Sequence, residues 1–218
     1  MSKPARAIKS FRRNIMSGSV ASASRRFRLL LLLPLLSLLL TGCGYNNIPT
    51  YEEQAKAKWS QVLNQYQRRA DLIPNLVETV KGFAKQESGV LEAVTAARAA
   101  ATSVKVDAST ITDPEAFKKF QAAQTQLSGS LGRLLAISEN YPTLKSDQNF
   151  LALQSQLEGT ENRIAVARRD YIEAVRVYNT ELKTFPGSLW ARFFYPGNKP
   201  MEEFTIADSA KVPPKVTF

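Results

Sequence analysis

Apolar residues recur at alternating spacings of four and three over a long stretch after residue 58, and Glu87 is the one polar residue that interrupts them. This period predicts a long amphipathic helix with one buried face. Pro74 lies inside the pattern, but the apolar phase continues across it, which favours a single helix over about 51–102 that bends at the proline. The alternative is two helices that meet near residues 69–71. The apolar face comprises Trp59, Leu63, Tyr66, Ala70, Ile73, Val77, Val80, Ala84, Leu91 and Val94.

A second helix is predicted after the polar and β-branched segment 103–112. Asp113 has the side chain of an N-cap, Pro114 suits the first helical position, and Glu115 places a carboxylate in the first turn. The helix should end before Pro142, because a proline keeps the preceding Tyr141 out of the helical conformation. Its apolar face is formed by Phe117, Phe120, Leu127, Leu131 and Leu134.

A third long helix is predicted after the sequence KSDQ, and the sequence FPG at residues 185–187 should end it. The predicted fold is therefore all-α: an elongated antiparallel helical bundle over 51–184 with three long helices, or four if the first one splits near residue 70. A short aromatic helix and an extended tail follow in 185–218. The third apolar face comprises Phe150, Leu153, Leu157, Ile164, Ala167, Tyr171, Ala174, Tyr178 and Leu182.

The first 42 residues differ from the rest in charge and hydropathy. They hold eight basic residues and no acid, so the remainder is nearly neutral although the whole chain has a formal net charge of +10. Leu29 to Leu40 is an apolar run, which is shorter than the roughly 20 residues that a membrane-spanning helix needs and is typical of a signal peptide. We therefore expect residues 1–42 to be an export signal, with translation starting at Met1 or at Met16.

The only cysteine of the chain directly follows this leader. The sequence LTGC, which ends at Cys43, resembles the lipobox of bacterial lipoproteins, in which the leader is cleaved before the cysteine and the thiol is acylated. More than one acyl chain makes such an anchor stable. We expect Cys43 to be the lipidated first residue of the mature protein, residues 43–50 to be a tether, and the product to face the periplasm. Gly44 is not the aspartate that retains lipoproteins in the inner membrane, so the outer membrane is an alternative location for the protein.

Three long strings carry a resemblance to a known family: RRADLIPNLVETVKGFAKQE (68–87), LLAISENYPTLKSDQNF (134–150) and GTENRIAVARRDYIEAVRVYNTELKTFPG (159–187). They resemble the LemA family of bacterial membrane-associated helical-bundle proteins. The resemblance implies an antiparallel α-helical bundle that faces an extracytoplasmic space and has no established enzymatic activity. Many relatives look tethered by an uncleaved transmembrane helix, whereas this sequence offers a lipobox.

The composition argues against the common kinds of catalytic site. The chain has no histidine, and its single cysteine belongs to the lipobox, so the usual general base and zinc ligands are absent from the body. No glycine-rich phosphate loop is present. We predict no enzyme, no cofactor and no metal; a carboxylate-based hydrolase is the least favoured alternative, and its candidate residues are Glu78, Glu87, Glu158, Glu161 and Asp170.

Charged residues beside the apolar faces are the next candidates for function. In helical bundles, opposite charges at these positions set the register of facing helices. The alternative interpretation is a docking groove for a partner protein around residues 68–76 and 138–142. The candidates for either role are Arg68, Arg69, Asp71, Glu78, Glu139, Tyr141, Glu161, Arg163, Arg168 and Asp170.

The aromatic segment SLWARFFYPG places Leu189, Trp190, Phe193 and Phe194 on one side of a short helix. Such a helix could lie in a membrane interface, or its aromatic residues could cap the end of the bundle. The candidates for this contact are Trp190, Phe193 and Phe194.

These observations favour a lipid-anchored, non-enzymatic scaffold of the cell envelope. Its expected partners are the membrane, through Cys43, and an envelope protein. The nearly neutral body argues against nucleic acid. The alternative function is a binding module for an envelope polymer, a lipid or an ion.

Overall fold

A computed structural model of the chain describes residues 44–205. The predicted leader, the lipobox with Cys43 and the tail beyond Thr205 lie outside the described residues. The part that is described contains helices and no strand, which confirms the all-α class. The helices are α1 (Asn47–Phe83), α2 (Ser88–Ser103), α3 (Pro114–Ile137), α4 (Pro142–Lys145), α5 (Gln148–Lys183) and α6 (Gly187–Phe193).

Helix α1 is continuous through Pro74, as predicted, but it ends at Phe83. The prediction of one helix to about 102 is wrong, and so is the alternative split near residue 70. Ala84 leaves the helical conformation with φ −124° and ψ 55°, a single 3₁₀ turn follows, and α2 begins at Ser88. The apolar spacing keeps its phase across this turn because both helices bury their apolar faces in the same core. Glu87, the interruption in the pattern, marks the turn.

The four longer helices alternate in direction. Arg69 of α1 pairs with Glu161 of α5, while Lys58 of α1 pairs with Asp170 of α5, so these two helices are antiparallel. Helix α2 turns back along α1, and α3 packs against α2. Because α5 is the fourth of these longer helices, its end lies beside the beginning of α1.

Local capping explains where α3 and α5 begin. The side chain of Asp113 accepts hydrogen bonds from the backbone N–H groups of Glu115 and Ala116, at 3.0 and 3.1 Å. Asp147 accepts one from the N–H of Phe150 at 2.9 Å. The predicted starts of both helices are therefore confirmed. Helix α3 ends at Ile137, before Pro142, also as predicted.

Two clusters of buried side chains form the core. The first lies beside the beginning of α1 and is rich in aromatic residues, whose rings contact each other around Trp59. The second is largely aliphatic and fills the space between the second half of α1, α2, α3 and the beginning of α5. Burial of each large apolar side chain contributes roughly 1.5–3 kcal/mol.

The segment that follows α6 has no regular secondary structure and runs back along α5. Tyr171 donates a hydrogen bond to the carbonyl oxygen of Glu202 at 2.7 Å, and the Asn179 side chain exchanges two hydrogen bonds of 2.9 Å with the backbone of Met201. Met201 and Phe204 of this segment are buried in the aromatic cluster. Residues that follow the last helix therefore complete the aromatic cluster.

Candidate functional site

Arg69 is the most deeply buried charged side chain among residues 44–205, with 1% of its surface exposed. Its Nη1 donates to Ser128 Oγ at 2.7 Å and to Glu161 Oε1 at 3.0 Å, and its Nη2 donates to Gln124 Oε1 at 2.5 Å. The Nε–H group is buried and has no hydrogen-bond partner in the described part of the chain. The guanidinium therefore joins α1, α3 and α5.

The surroundings of Arg69 offset the cost of burying its charge. Glu161 supplies the counter-charge from a side chain that is 42% exposed, so the ion pair lies at the edge of the core. The Arg69 guanidinium also lies over the ring of Tyr66, 4.9 Å from its centroid. Burial raises the pKa of the Tyr66 hydroxyl, while the guanidinium groups of Arg168 and Arg69 act in the opposite direction. A buried cation with several charge-assisted hydrogen bonds is costly to disrupt.

A small polar cleft of about 290 Å³ opens beside Arg69. Its size is at the lower end of the range for small-molecule sites. Hydroxyl, amide and guanidinium groups dominate its lining, so it suits a small polar or anionic ligand better than an apolar one. The lining residues are Tyr66, Arg69, Gln121, Gln124, Thr125, Ser128, Glu161, Ile164, Arg168 and Thr205.

The remaining candidates on α5 have different kinds of partner. Asp170 accepts from Lys58 of α1 at 3.2 Å, and this lysine was missed from the sequence although it flanks Trp59 on the apolar face. Arg168 lies over the ring of Phe204, 4.4 Å from the centroid. Among residues 44–205, Arg163 donates only to Thr160 of its own helix, at 3.4 Å.

The other charged candidates on α1 lie on its exposed surface. Arg68 is exposed, Asp71 accepts a hydrogen bond from Gln67 one turn away, and Glu78 pairs with Lys81 of the same helix at 3.6 Å. Neither of these two contacts joins two helices.

A second group of candidates lies at the end of the bundle where α1 turns into α2. Tyr141 donates to Glu87 Oε1 at 3.2 Å, and Glu139 pairs with Lys145 at 2.6 Å. An open groove of about 750 Å³ runs between α1 and α2 near this end, and Glu78 lies on its rim. Of the charged candidates, Arg69, Glu161 and Arg168 therefore line the Arg69 cleft and Glu78 lines the distal groove, whereas the others line neither. The distal groove is lined by Val77, Glu78, Lys81, Lys85, Ser88, Leu91, Glu92, Thr95, Ala96 and Ala99.

The aromatic residues of α6 divide between the core and the surface. Trp190 packs against the aromatic cluster, and its ring lies 5.5 Å from that of Phe194. Phe193 is 69% exposed and Phe194 is 56% exposed. Phe185, which was not among the sequence candidates, is 81% exposed.

The acidic candidates for catalysis are engaged with neighbouring side chains. Glu158 and Glu161 lie one turn apart on α5, where they accept from Gln154 and from Arg69, respectively. Across residues 44–205, His, Cys, Asp and Glu side chains form no group of three or more that could hold a metal ion. Within the same range, no helix is both long and apolar enough to cross a membrane.

Comparison with known proteins gives a family and three relatives. The model of the LemA family matches residues 58–218. Magnetosome proteins MamQ 1 and MamQ 2 of Paramagnetospirillum magneticum are each 28% identical to the chain over 185 residues, which is 78% of this chain and 67% of each relative. Magnetosome protein MamQ of Magnetospirillum gryphiswaldense is 28% identical over 158 residues, which is 65% of this chain and 58% of that protein. Because the family model spans well over half of the chain, this protein belongs to the LemA family.

Proposed function

We propose that this protein is a lipid-anchored, non-enzymatic component of the cell envelope, and that its helical bundle is a scaffold for interactions at the membrane surface. The observation that carries the proposal is the order of features around Cys43. A basic segment, an apolar run and LTGC precede a bundle whose first helix begins only four positions later, at Asn47. A lipid on Cys43 would hold the beginning of α1 close to the bilayer.

The relatives support an association with membranes. The three relatives reported above are magnetosome proteins, and a magnetosome is a membrane-bounded particle. The shared family makes attachment to a membrane the natural inference for this chain as well. The lipobox supplies a means of attachment that does not require a membrane-spanning helix.

The described side chains suit a structural role for the bundle better than catalysis. Arg69–Glu161 and Lys58–Asp170 are ion pairs between α1 and α5, and they lie about eleven residues apart along α1. Two such pairs fix the register of long antiparallel helices. We assign Arg69, Glu161 and Asp170 to this role, and we assign partner docking to the distal groove with Glu78 on its rim.

Processing and labelling in cells test the anchor. Cells that express the wild type or Cys43→Ala are fed an alkyne-tagged fatty acid, and the protein is examined for label and for apparent mass. We expect label on the wild type only, and a larger, unprocessed product from Cys43→Ala. Equal labelling of both proteins, or none on either, would contradict the lipid anchor.

Site-specific crosslinking in intact cells tests the scaffold. A photoreactive residue replaces Thr95 in the distal groove or, as a matched control, Ala165 on the exposed side of α5. The proposal expects a discrete envelope protein to crosslink from position 95 and not from position 165. The same pattern from both positions would argue against a docking groove.

One observation favours a binding module as the second candidate. The Arg69 Nε–H is buried without a partner beside a polar cleft, and an anion could accept from the arginines there. Inorganic phosphate should then raise the melting temperature of the wild type more than that of Arg168→Gln. An equal shift in both proteins would remove this candidate.

A further inference from the structure

The three most exposed large apolar side chains among residues 44–205 belong to one short stretch. Phe185, Phe193 and Phe194 are 81%, 69% and 56% exposed, and Leu189 between them is 45% exposed. We call these four residues the end patch. A concentration of exposed aromatic and aliphatic side chains in one place is unusual for a surface that faces only water.

The end patch lies at the end of the bundle where α1 begins. Asn47, the first residue of α1, donates from its side chain to Glu181 Oε1 at 3.1 Å. Gly187, the first residue of α6, is packed so closely on Glu181 that an added Cβ would lie 2.3 Å from the Glu181 carbonyl oxygen. Farther along, Asn198 donates to Glu52 of α1 at 2.7 Å. These contacts tie α6 to the first turns of α1.

The orientation of α6 is fixed by its inner face. Gly187 is buried, and Trp190 and Ala191 pack against the aromatic cluster. Leu189 and Phe193 are four residues apart, so they lie on the same outward face of the helix. The bundle therefore holds the end patch in place instead of leaving it on a loose tail.

The charges around the end patch suit a surface of anionic lipid. Lys183, two residues before Phe185, and Arg192, next to Phe193, are both exposed, and the Arg192 guanidinium lies 6.0 Å from the centroid of the Phe193 ring. Of the acids nearby, Glu181 accepts from Asn47, and Glu52 pairs with Lys56 at 2.7 Å. Long basic side chains beside apolar ones can contact headgroups while the apolar groups enter the interface.

We propose that the end patch inserts into the membrane interface beside the lipid anchor and gives the protein a second attachment to the bilayer. This inference rests on the proposed acylation of Cys43. Three residues separate Cys43 from Asn47, and four residue steps of extended chain reach at most about 14 Å. The end of the bundle that carries the patch is therefore the end that an acyl chain would keep at the membrane. The chain that follows α6 runs away from this end of the bundle, because the backbone carbonyl of Thr205 accepts a hydrogen bond from Gln121 of α3.

The test places a fluorescent reporter at each end of the bundle. Phe193→Trp puts an indole in the end patch, and Phe83→Trp puts one at the far end of α1, where Phe83 is 41% exposed. Each full-length lipoprotein is purified from membranes and reconstituted in vesicles of phosphatidylethanolamine and phosphatidylglycerol with brominated acyl chains. We expect the brominated chains to quench most of the fluorescence that Phe193→Trp adds. They should quench none of the fluorescence that Phe83→Trp adds.

The mass of the N-terminal peptide is measured on the same samples, so that the anchor and the patch are scored separately. An acylated Cys43 with unquenched Phe193→Trp overturns the end patch as a membrane contact and leaves the anchor intact. Equal quenching of both variants also overturns it, because the contact would then not be specific to one end. An unmodified Cys43 instead refutes the anchor on which the inference rests.

Discussion

Arg98 of α2 donates a hydrogen bond from Nε to the carbonyl oxygen of Ala70 in α1, at 2.8 Å. In an uninterrupted helix this carbonyl would accept from the N–H of residue 74, but Pro74 has none. Arg98 therefore supplies the donor that the proline removes. This contact accounts for a proline inside a long continuous helix, and it joins α1 to the helix that turns back along it.

The effect of an Arg98 substitution on the free energy of unfolding should therefore depend on Pro74. Arg98→Met removes the donor and keeps much of the aliphatic stem, and we expect it to lower the free energy of unfolding by about 1–3 kcal/mol. In a Pro74→Ala background the backbone N–H at position 74 can bond Ala70, so the same change should cost less. Chemical denaturation of the four proteins measures this double-mutant cycle. Equal costs in both backgrounds would contradict the assignment.

Arg69 and Arg68 form a matched pair of neighbours with different environments. Arg69→Ala leaves polar partners in the core without their donor, and loss of one member of a buried ion pair typically costs about 3–5 kcal/mol. Arg68→Ala removes an exposed charge and should change the stability by less than about 0.5 kcal/mol. Thermal and chemical denaturation measure the change in stability of each variant.

The same pair separates the two interpretations of Arg69. If Arg69 sets the register of the bundle, Arg69→Ala should lower the melting temperature and impair function in cells together. Impaired function with an unchanged melting temperature would favour a docking role instead.

Two glycines should respond in opposite directions to alanine. At Gly187 an added Cβ would lie 2.3 Å from the Glu181 carbonyl oxygen, so Gly187→Ala should displace α6 and destabilise the protein. At Gly129 an added Cβ meets nothing within 4 Å, and Gly129→Ala inside α3 should stabilise the fold by up to about 1 kcal/mol. Urea denaturation measures both free energies. Destabilisation by Gly129→Ala would show that α3 packs more closely there than the structure indicates.

Tyr171 should make the fold sensitive to alkaline pH. Burial raises its pKa above the ordinary value of 10.0, and the nearby Glu202 and Glu203 carboxylates raise it further. The neutral hydroxyl is therefore favoured in the folded state. Its contribution to stability is complete below pH 10 and decreases as the pH rises above 10, where the unfolded chain ionises.

We expect the free energy of unfolding to fall with pH above 10, and to fall less steeply in Tyr171→Phe. Denaturation at several alkaline pH values, with tyrosinate absorbance recorded in parallel, provides the measurement. A pH dependence that Tyr171→Phe leaves unchanged would exclude this residue as the cause. Tyr171→Phe should also be less stable near neutral pH, because the carbonyl of Glu202 loses its donor.

Local signals predicted most of the fold. Asp113 and Pro114 predict the start of α3 to within a few residues, and the apolar spacing predicts the buried faces of α1 and α5. The end of α1 at Phe83 was missed because the pattern keeps its phase across the turn. Only Gly82, which is unfavourable in a helix, and Glu87 marked the break.

The Arg69 cluster could be predicted only in part. The position of Arg69 beside the apolar face indicated a pairing with a facing helix, but its complete burial depends on Gln124 and Ser128 of α3. Their spacing relative to Arg69 follows from how α3 docks, and no local pattern encodes this. Phe185 was overlooked for a similar reason, since a residue beside a helix-ending proline could equally have been buried.

The mass of the mature N-terminal peptide tests the central claim most directly. Protein extracted from membranes is digested, and the peptide that contains residue 43 is measured by mass spectrometry. The account predicts that this peptide begins at Cys43 and carries the added mass of acyl chains. A peptide that continues into the leader, or one with a free Cys43 thiol, would contradict it.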